Sequence, residues 1–224
     1  VDAGYLFAQG SALLAGKKVR RSETRLNAPI VLSELTSLAK SIEPNSRLLR
    51  IYWYDGLSRG STVSFDQRAI SESENVKCRF GTINSHGEQK GVDSLIVTDL
   101  IELSRSHAIS DALVVSGDED IRVGVQVAQT FGIRVHLLGV HPARGSQSPD
   151  LRAEADTVHE WGDGDVGKWL QIVLAETVPE VEVETGAGGE VTNELLDTAV
   201  SEALHGLAPD DARQIVEYAE LNRN

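Results

Sequence analysis

The chain has 224 residues, of which 41% are hydrophobic, 25% are charged and one, Cys78, is a cysteine. This length suits one α/β domain with a small appendage, and a single cysteine excludes an intramolecular disulfide and any multi-cysteine zinc site. No apolar run approaches the roughly 18 residues that a membrane span needs. We therefore expect a cytoplasmic protein with no membrane contact.

The net charge of −13 is concentrated towards the carboxyl end. Residues 163–224 carry 3 basic and 14 acidic side chains, whereas residues 1–162 carry 18 basic and 20 acidic ones. Nucleic acid binding depends largely on Lys and Arg side chains that neutralise phosphates. Because the body of the chain is nearly balanced in charge, the overall acidity does not exclude a nucleic acid ligand.

The first residues, Val1 and Asp2, are interpreted as the end of a strand that begins before Val1, and Gly4 predicts a tight turn after it. Asp2 fits either a helix cap or a metal ligand. A basic segment follows, which fits either a solvated loop or contacts with backbone phosphates. Its residues are Lys17, Lys18, Arg20, Arg21 and Arg25.

Four elements are expected before residue 84. Apolar residues at helical spacing predict a helix over residues 30–42, and a β-branched and aromatic run predicts a second strand over residues 48–55. Residues 65–75 are expected to form a short helix. Alternating hydrophobicity predicts a third strand over residues 76–83, exposed on one face as an edge strand would be.

A long amphipathic helix is expected over the stretch that begins at Gln89 and runs to about His107. Asp93 lies in its first turn, where a carboxylate either complements the helix dipole or binds a ligand. Asp99 lies six residues further on, roughly 120° around the axis and about 9 Å along it. Because one ion cannot easily be bound by both from a regular helix, Asp99 is expected to be an outer ligand, a ligand of a second ion or a structural residue.

Residues 112–115 form an apolar run typical of a strand buried on both faces of a parallel sheet. The small-residue turn Ser116-Gly117 then brings Asp118 and Asp120 to the carboxyl end of that strand, before a helix. Open α/β sheets bind ligands at this edge. Paired carboxylates there are typical of a Mg²⁺ or Mn²⁺ site.

The rest of the body is expected to contain a buried strand (residues 133–140), a helix with Pro at its first position (148–156) and a short last strand (157–159). Of the histidines, only His141, which follows the buried strand, is expected to contact a substrate. Beyond residue 162 we predict a helix (166–177), an acidic linker (179–190) and a hairpin of two helices (192–204 and 209–221).

These elements divide the chain into three predicted parts: a domain over residues 1–162, a helix and acidic linker over 163–190, and a small helical hairpin over 191–224. The hairpin is too small to be stable alone. It is expected to dock on the body, on a protein partner or on a continuation of the chain.

The strand order 3-2-1-4-5 would place strand one beside strand four and would bring Asp2 close to Asp118. Several carboxylates in one crevice repel one another unless a divalent cation compensates their charge. With no Ser-His pairing and no cysteine nucleophile in evidence, the expected reaction is attack of metal-activated water on a phosphodiester.

Three motifs follow one another along the chain: Lys90-Gly91-Val92-Asp93 followed by Asp99-Leu100, then Ser116-Gly117-Asp118-Glu119-Asp120-Ile121, then Ser148 through Leu151-Arg152 to Ala155-Asp156. Together they resemble the NYN domains of the PIN-like nuclease superfamily, LabA/DUF88 type. The resemblance implies a PIN-like, Rossmannoid three-layer α/β fold with a central, mainly parallel sheet, and metal-dependent ribonuclease activity.

The resemblance also implies metal roles for Asp2, Asp93, Asp118 and Asp120, with Asp99 as a weaker member. Tyr5 stands where the family frequently has Asn, at a position expected to contact the substrate.

The leading hypothesis is a Mg²⁺- or Mn²⁺-dependent endoribonuclease in which Lys90 and the basic segment contact single-stranded or structured RNA. One alternative is a catalytically weak RNA-binding or scaffolding module of a regulatory or defence system, whose acidic carboxyl-terminal helices recruit a protein partner. Another is a phosphatase that releases inorganic phosphate from small nucleotides. Homo-oligomerisation is left open by the sequence.

Overall fold

Helices and strands alternate along the part of the chain that the computed structural model describes, namely residues 1–58, 62–83 and 89–173. The helices are α1 (Ala3–Ala15), α2 (Ala28–Ile42), α3 (Phe65–Ser71), α4 (Val92–Arg105), α5 (Arg122–Thr130), α6 (Ala143–Ser146), α7 (Pro149–Glu154) and α8 (Asp163–Val166). The strands are β1 (Thr24–Leu26), β2 (Ile51–Ser58), β3 (Val76–Ile83), β4 (Gln89–Lys90), β5 (Asp111–Val115), β6 (Arg134–Val140), β7 (Thr157–Trp161) and β8 (Leu170–Ile172).

The parallel strands form two groups that meet at Val1 and Asp2. One group contains β2 and β3, and the other contains β5, β6 and β7. The amino group of Val1 donates to Tyr52 O at 2.8 Å, and Asp2 N donates to Val115 O at 2.9 Å. These bonds lie between β2 and β5, the neighbours that the predicted order requires for strand one. The complete order 3-2-1-4-5 stays a prediction, because the two groups form separate sheets in the structure.

Apolar side chains cover both faces of the strands. Trp53 and Val115 pack with α1 and α2 in one cluster, whereas their chain neighbours Tyr54 and Val114 pack with α4 and α5 in another. Because successive side chains of a strand point to opposite faces, this alternation places one pair of helices on each face. The prediction of a mixed α/β fold with parallel strands is confirmed.

The prediction of a tight turn at Gly4 is wrong. Gly4 lies inside α1, which begins immediately after Asp2, ends at Ala15 and is capped by Gly16, whose φ is 71°. The carboxylate of Asp2 accepts a hydrogen bond from Tyr5 N at 3.1 Å and so caps the helix. The helix can therefore start at once, without the loop that Gly4 indicates in isolation.

The other strand and helix predictions differ from the structure mainly at the periphery. Residues Gln89 and Lys90 form β4 and not the start of the predicted helix, which begins at Val92. Because β4 pairs antiparallel with the carboxyl end of β3, β3 is not the edge along its whole length. The helix predicted over residues 166–177 is wrong where the structure describes it, because α8 ends at Val166 and β8 pairs antiparallel with β1. The linker and the helical hairpin lie outside the described residues, and the three-part division of the chain stays a prediction.

The helices of the described part give no candidate membrane span, since none is both long and apolar enough to cross a bilayer. The cytoplasmic location stays a prediction.

Candidate active site

Asp2 lies at the carboxyl end of the short segment between β2 and β5, and its side chain is buried. Its Oδ1 caps α1, and its Oδ2 accepts a hydrogen bond from Ser116 Oγ at 3.2 Å. Burial raises the pKa of the Asp2 carboxyl above its usual range, although the hydrogen bonds from Tyr5 and Ser116 oppose the shift. Asp2 is therefore the predicted helix cap and also a carboxylate held beside the motif that contains Asp118.

The loop after β5 presents Asp118 and Asp120 to solvent. Asp118 N donates to Ser116 Oγ at 3.3 Å, and Asp120 N donates to Asp118 Oδ1 at 3.0 Å. Ile121 is fully buried and anchors the far end of the turn. The loop is thus fixed by its own hydrogen bonds and by one apolar anchor, and its carboxylates lie at the edge where parallel sheets bind ligands.

A second segment supports this loop from the β6 side. Gln147 Nε2 donates to Ser116 O at 2.9 Å, and Ser148 N donates to Gly117 O at 2.9 Å. Arg152 donates in turn to Gln147 Oε1 at 2.8 Å. Sequence reasoning missed Gln147 because its partner, 31 residues away, is a backbone carbonyl that leaves no signal in the sequence.

Asp93 is half-buried in the first turn of α4, after Gly91, whose φ is 82°. Burial raises the pKa of the Asp93 carboxyl, and the carboxylates of Asp118, Asp2 and Asp120 raise it further. The four aspartates come from three separate parts of the chain. Their mutual repulsion is the electrostatic feature that defines the candidate site.

The chemistry of this donor set fits Mg²⁺ or Mn²⁺, which prefer carboxylate oxygens. Among the described residues, however, no three His, Cys, Asp or Glu side chains form a group that could hold a metal ion as it stands. The carboxylates therefore interact electrostatically without converging on one point. Since the side chains of Asp118 and Asp120 are exposed, they are the two carboxylates that can most readily change conformation to reach a bound cation.

Asp99 has a different environment from the other predicted ligands. Arg79 donates to both of its carboxylate oxygens at 3.1 Å, and the Tyr54 hydroxyl donates to Oδ2 at 2.9 Å. Burial, followed by the charge of Asp99, raises the pKa of Tyr54. Of the three roles considered for Asp99, these contacts support the structural one, in which it attaches α4 to β2 and β3.

The Tyr5 hydroxyl has partners inside the protein, and its contact with a substrate stays a prediction. The hydroxyl hydrogen-bonds Ser146 Oγ at 2.9 Å and accepts from Val140 N at 3.2 Å, inside the protein. Its ring packs against Gly117. Tyr5 therefore joins α1 to the loops after β5 and β6.

Arg21 differs from the rest of the basic segment in having partners within the protein. Its guanidinium forms an ion pair with buried Asp55 at 2.9 Å and lies 3.3 Å from the centre of the Phe7 ring, while its side chain stays 37% exposed. Lys17, Lys18 and Arg20 are exposed. For these three, contact with RNA stays a prediction, as it does for Lys90, which lies in β4 three residues before Asp93.

Arg21→Ala is expected to destabilise the fold without a matching loss of RNA affinity. It removes charged hydrogen bonds to buried Asp55, and because the arginine is partly exposed we expect a cost of about 1–2 kcal/mol. Urea denaturation measures this free energy. Lys18→Ala is the control and should show the reverse pattern, with unchanged stability and weaker RNA binding. Equal stability of the two variants would contradict the structural role.

A cavity of about 840 Å³ lies at the opposite, amino ends of β2 and β5. Asp2 touches it, but Asp93, Asp118 and Asp120 do not line it. We place the candidate site at the carboxyl edge, because three of the four predicted aspartate ligands lie outside this cavity and interact with one another at that edge.

The chain matches a family model and is similar to proteins of Sinorhizobium fredii and Vibrio parahaemolyticus. The NYN domain family model matches residues 16–162, a range that includes Asp93, Asp118 and Asp120 and leaves out Asp2. The chain is similar to the "Uncharacterized protein y4oD" of Sinorhizobium fredii (strain NBRC 101917 / NGR234), with 63% identity over 110 residues. The match covers 49% of this chain and 51% of that protein, so the chain spans about half the length of its relative.

The crystal structure of a protein of unknown function, VPA0982, from Vibrio parahaemolyticus RIMD 2210633 is similar with a TM-score of 0.46 and 20% identity. The match covers 62% of this chain and 81% of that one, and similarity at this level carries no argument about function. The family match covers more than half of the chain and confirms the resemblance seen in the motifs. The chain therefore belongs to the NYN domain family, which has a nuclease-like fold and whose members are typically nucleases.

Proposed function

We propose that the protein is a metal-dependent ribonuclease that hydrolyses phosphodiester bonds at the aspartate cluster. The observation that supports it most is the environment of Asp93, whose pKa is raised by burial and by the charges of Asp118, Asp2 and Asp120. A fold gains no stability from like charges placed together. A cluster of this kind is typical of a site that is complete only with a cation.

Asp2, Asp93, Asp118 and Asp120 would hold Mg²⁺ or Mn²⁺. When bound, such a cation activates water for attack on a phosphodiester and offsets the charge of the phosphate and of the leaving oxygen. Ser116 Oγ donates to the carboxylate of Asp2 and accepts from Asp118 N, so one side chain holds both residues in place. Exposure of Asp118 and Asp120 leaves the site open to a polymer.

RNA is the substrate we propose, with Lys17, Lys18, Arg20 and Lys90 contacting its phosphates. Such contacts provide most of the sequence-independent affinity for nucleic acid. The strongly acidic residues 163–224 would repel RNA, so we assign them to a protein partner instead.

A circular, fluorescently labelled RNA tests this function directly. We expect linear and then shorter products with Mn²⁺ or Mg²⁺, no products in EDTA, and recovery when the metal is added back. A circular substrate has no ends, so any product requires an endonuclease. Release of inorganic phosphate from nucleotides, with the circle intact, would instead identify a phosphatase.

A second candidate function is an RNA-binding module with little or no catalytic activity. It is favoured by one observation, that no three metal-binding side chains of the described residues converge on a point. This module would bind the circular RNA and leave it intact in every metal. The same assay, read with a gel shift, therefore separates the two candidates.

A further inference from the structure

A histidine and glutamate pair lies at the carboxyl edge of the sheet, outside the aspartate cluster. His141 follows β6, and its Nδ1 donates to Oε1 of Glu160 on β7 at 2.7 Å. The other carboxylate oxygen, Oε2, accepts a hydrogen bond from Ala143 N at 2.8 Å. The hydrogen bond from His141, and then that from Ala143, lowers the pKa of the Glu160 carboxyl. Glu160 is thus a charged carboxylate whose two oxygens each accept a hydrogen bond.

The Glu160 carboxylate has a structural contact with the backbone of buried Ala143, but the ion pair with His141 contributes little to stability. The side chains of His141 and Glu160 are 57% and 41% exposed, and ion pairs at such positions contribute little to folding. The pair nevertheless fixes the orientation of the imidazole, in the way that carboxylates orient functional histidines. In the described part of the chain, Nε2 of His141 has no hydrogen-bond partner of its own.

The register of the strands relates this pair to the aspartates. Val115 of β5 lies opposite Leu138 of β6. Asp118 follows Val115 by three residues, and His141 follows Leu138 by three residues. The segment that starts at His141 then returns to the aspartate loop, where Ser148 N donates to Gly117 O at 2.9 Å. His141 therefore lies on the neighbouring strand end, at the same edge as Asp118.

Positive charge also lies on this side of the edge. The charge of Arg152 contributes to the lowered pKa of the Glu160 carboxyl. It also opposes the rise that burial causes in the pKa of Tyr5. Arg152 also donates to Gln147 Oε1 at 2.8 Å, which places its guanidinium beside the segment that supports the aspartate loop. An acidic site that admits a polyanion needs cationic groups beside it, because phosphates and free carboxylates repel each other.

We propose that His141, held in position by Glu160, contacts a backbone phosphate of the RNA next to the bond at the aspartate cluster. The protonated imidazole would donate Nε2–H to a phosphate oxygen, and Glu160 would act as a positioning residue that balances the charge. The inference rests on the proposed function in taking RNA as the ligand. It goes beyond that function in assigning a phosphate-binding position to the β6 and β7 strand ends.

The test measures binding of a labelled 12-nucleotide oligouridylate to the full chain by fluorescence anisotropy. All proteins carry Asp118→Asn to suppress cleavage, and titrations run at several salt concentrations at pH 5.5, where histidine is ordinarily protonated. His141→Asn is compared with His107→Asn. This control also removes an exposed imidazole, from a residue two positions after the end of α4. Glu160→Gln is the second variant, since it keeps the size of the positioning side chain and removes its charge.

We expect His141→Asn to raise the Kd roughly 5-fold and to reduce the slope of log K against log salt by about 0.7, the value for one contact with a single strand. Glu160→Gln should change both quantities in the same direction but less, and His107→Asn should change neither. Normal binding with an unchanged slope in His141→Asn would overturn this inference alone. An equal effect of His107→Asn would also overturn it, and absence of RNA binding before any histidine is changed would overturn the proposed function with it.

Discussion

Asp118→Asn is expected to reduce RNA cleavage roughly 100- to 1,000-fold, the usual cost of removing one preorganised electrostatic group from an active site. Asparagine keeps the shape of the side chain and the carbonyl oxygen that accepts from Asp120 N at 3.0 Å in the native turn. Only the charge is lost. The free energy of unfolding should therefore stay close to that of the unchanged protein, and the loss of activity should appear in product formation from circular RNA.

Glu119→Gln is the matched control for this experiment. It removes one negative charge at the next residue, which is also exposed, and Glu119 has no role in the proposed site. Cleavage by Glu119→Gln should remain within about 3-fold of the unchanged protein, since surface substitutions away from a site have small effects. Equal activity of Asp118→Asn and the unchanged protein would mean that the cleavage comes from a contaminant or from another site.

A second readout does not depend on activity. Because Asp118 contributes to the raised pKa of Asp93, Asp118→Asn should lower the pKa of the Asp93 carboxyl towards its usual range. An NMR titration of carboxyl carbons in EDTA measures this change. A pKa of Asp93 that does not respond would contradict the proximity of the two carboxylates, whatever the catalytic result.

The parts of the fold that the sequence predicts are those governed by local patterns. The apolar runs that form β5 and β6 lie buried on both faces of a parallel sheet, and such runs are visible in any window of a few residues. The turn Ser116-Gly117 and the carboxylates after it are equally local. The sequence alone therefore predicts where β5 ends and which aspartates follow it.

Pairings between distant residues could not be predicted from local patterns. Arg21 belongs to a basic run typical of an exposed loop, yet it forms an ion pair with Asp55, 34 residues away. Helical geometry separates Asp99 from Asp93, but the partner of Asp99, Arg79, lies on β3 and no spacing rule selects it. In each case a charged side chain that looks available in the sequence is neutralised by a partner that only the fold brings close.

Tyr5 shows the same limit within the site itself. Its position after Asp2 indicates proximity to the site, and the structure does place its ring against Gly117. The direction of its hydroxyl, towards Val140 and Ser146, depends on the packing of α1 against the loop after β6. Sequence patterns predict where a residue lies along an element more readily than which neighbour its polar atom contacts.

Gly117→Ala is expected to destabilise the protein by about 1–3 kcal/mol, the usual cost of overpacking a filled interior position. An added Cβ would lie 2.6 Å from Cε2 of Tyr5 and would collide with the carbonyl oxygen of Ser146. Neither neighbour can easily retreat, because the Tyr5 hydroxyl is bonded to Val140 N and Ser146 is followed by Gln147, whose amide holds Ser116 O. Urea denaturation of the variant measures the cost.

The same substitution should reduce cleavage roughly 100-fold even where the variant is fully folded, because a shift of about 1 Å in a catalytic group has an effect of this size. Because Asp118 is the next residue after Gly117, a displacement of the Gly117 backbone also displaces the Asp118 carboxylate. Gly164→Ala is the control, since a Cβ at Gly164 meets no atom within 4 Å and alanine favours helix. If Gly117→Ala matches Gly164→Ala in stability and activity, the close packing of Tyr5 and Ser146 around the motif does not hold Asp118 in position.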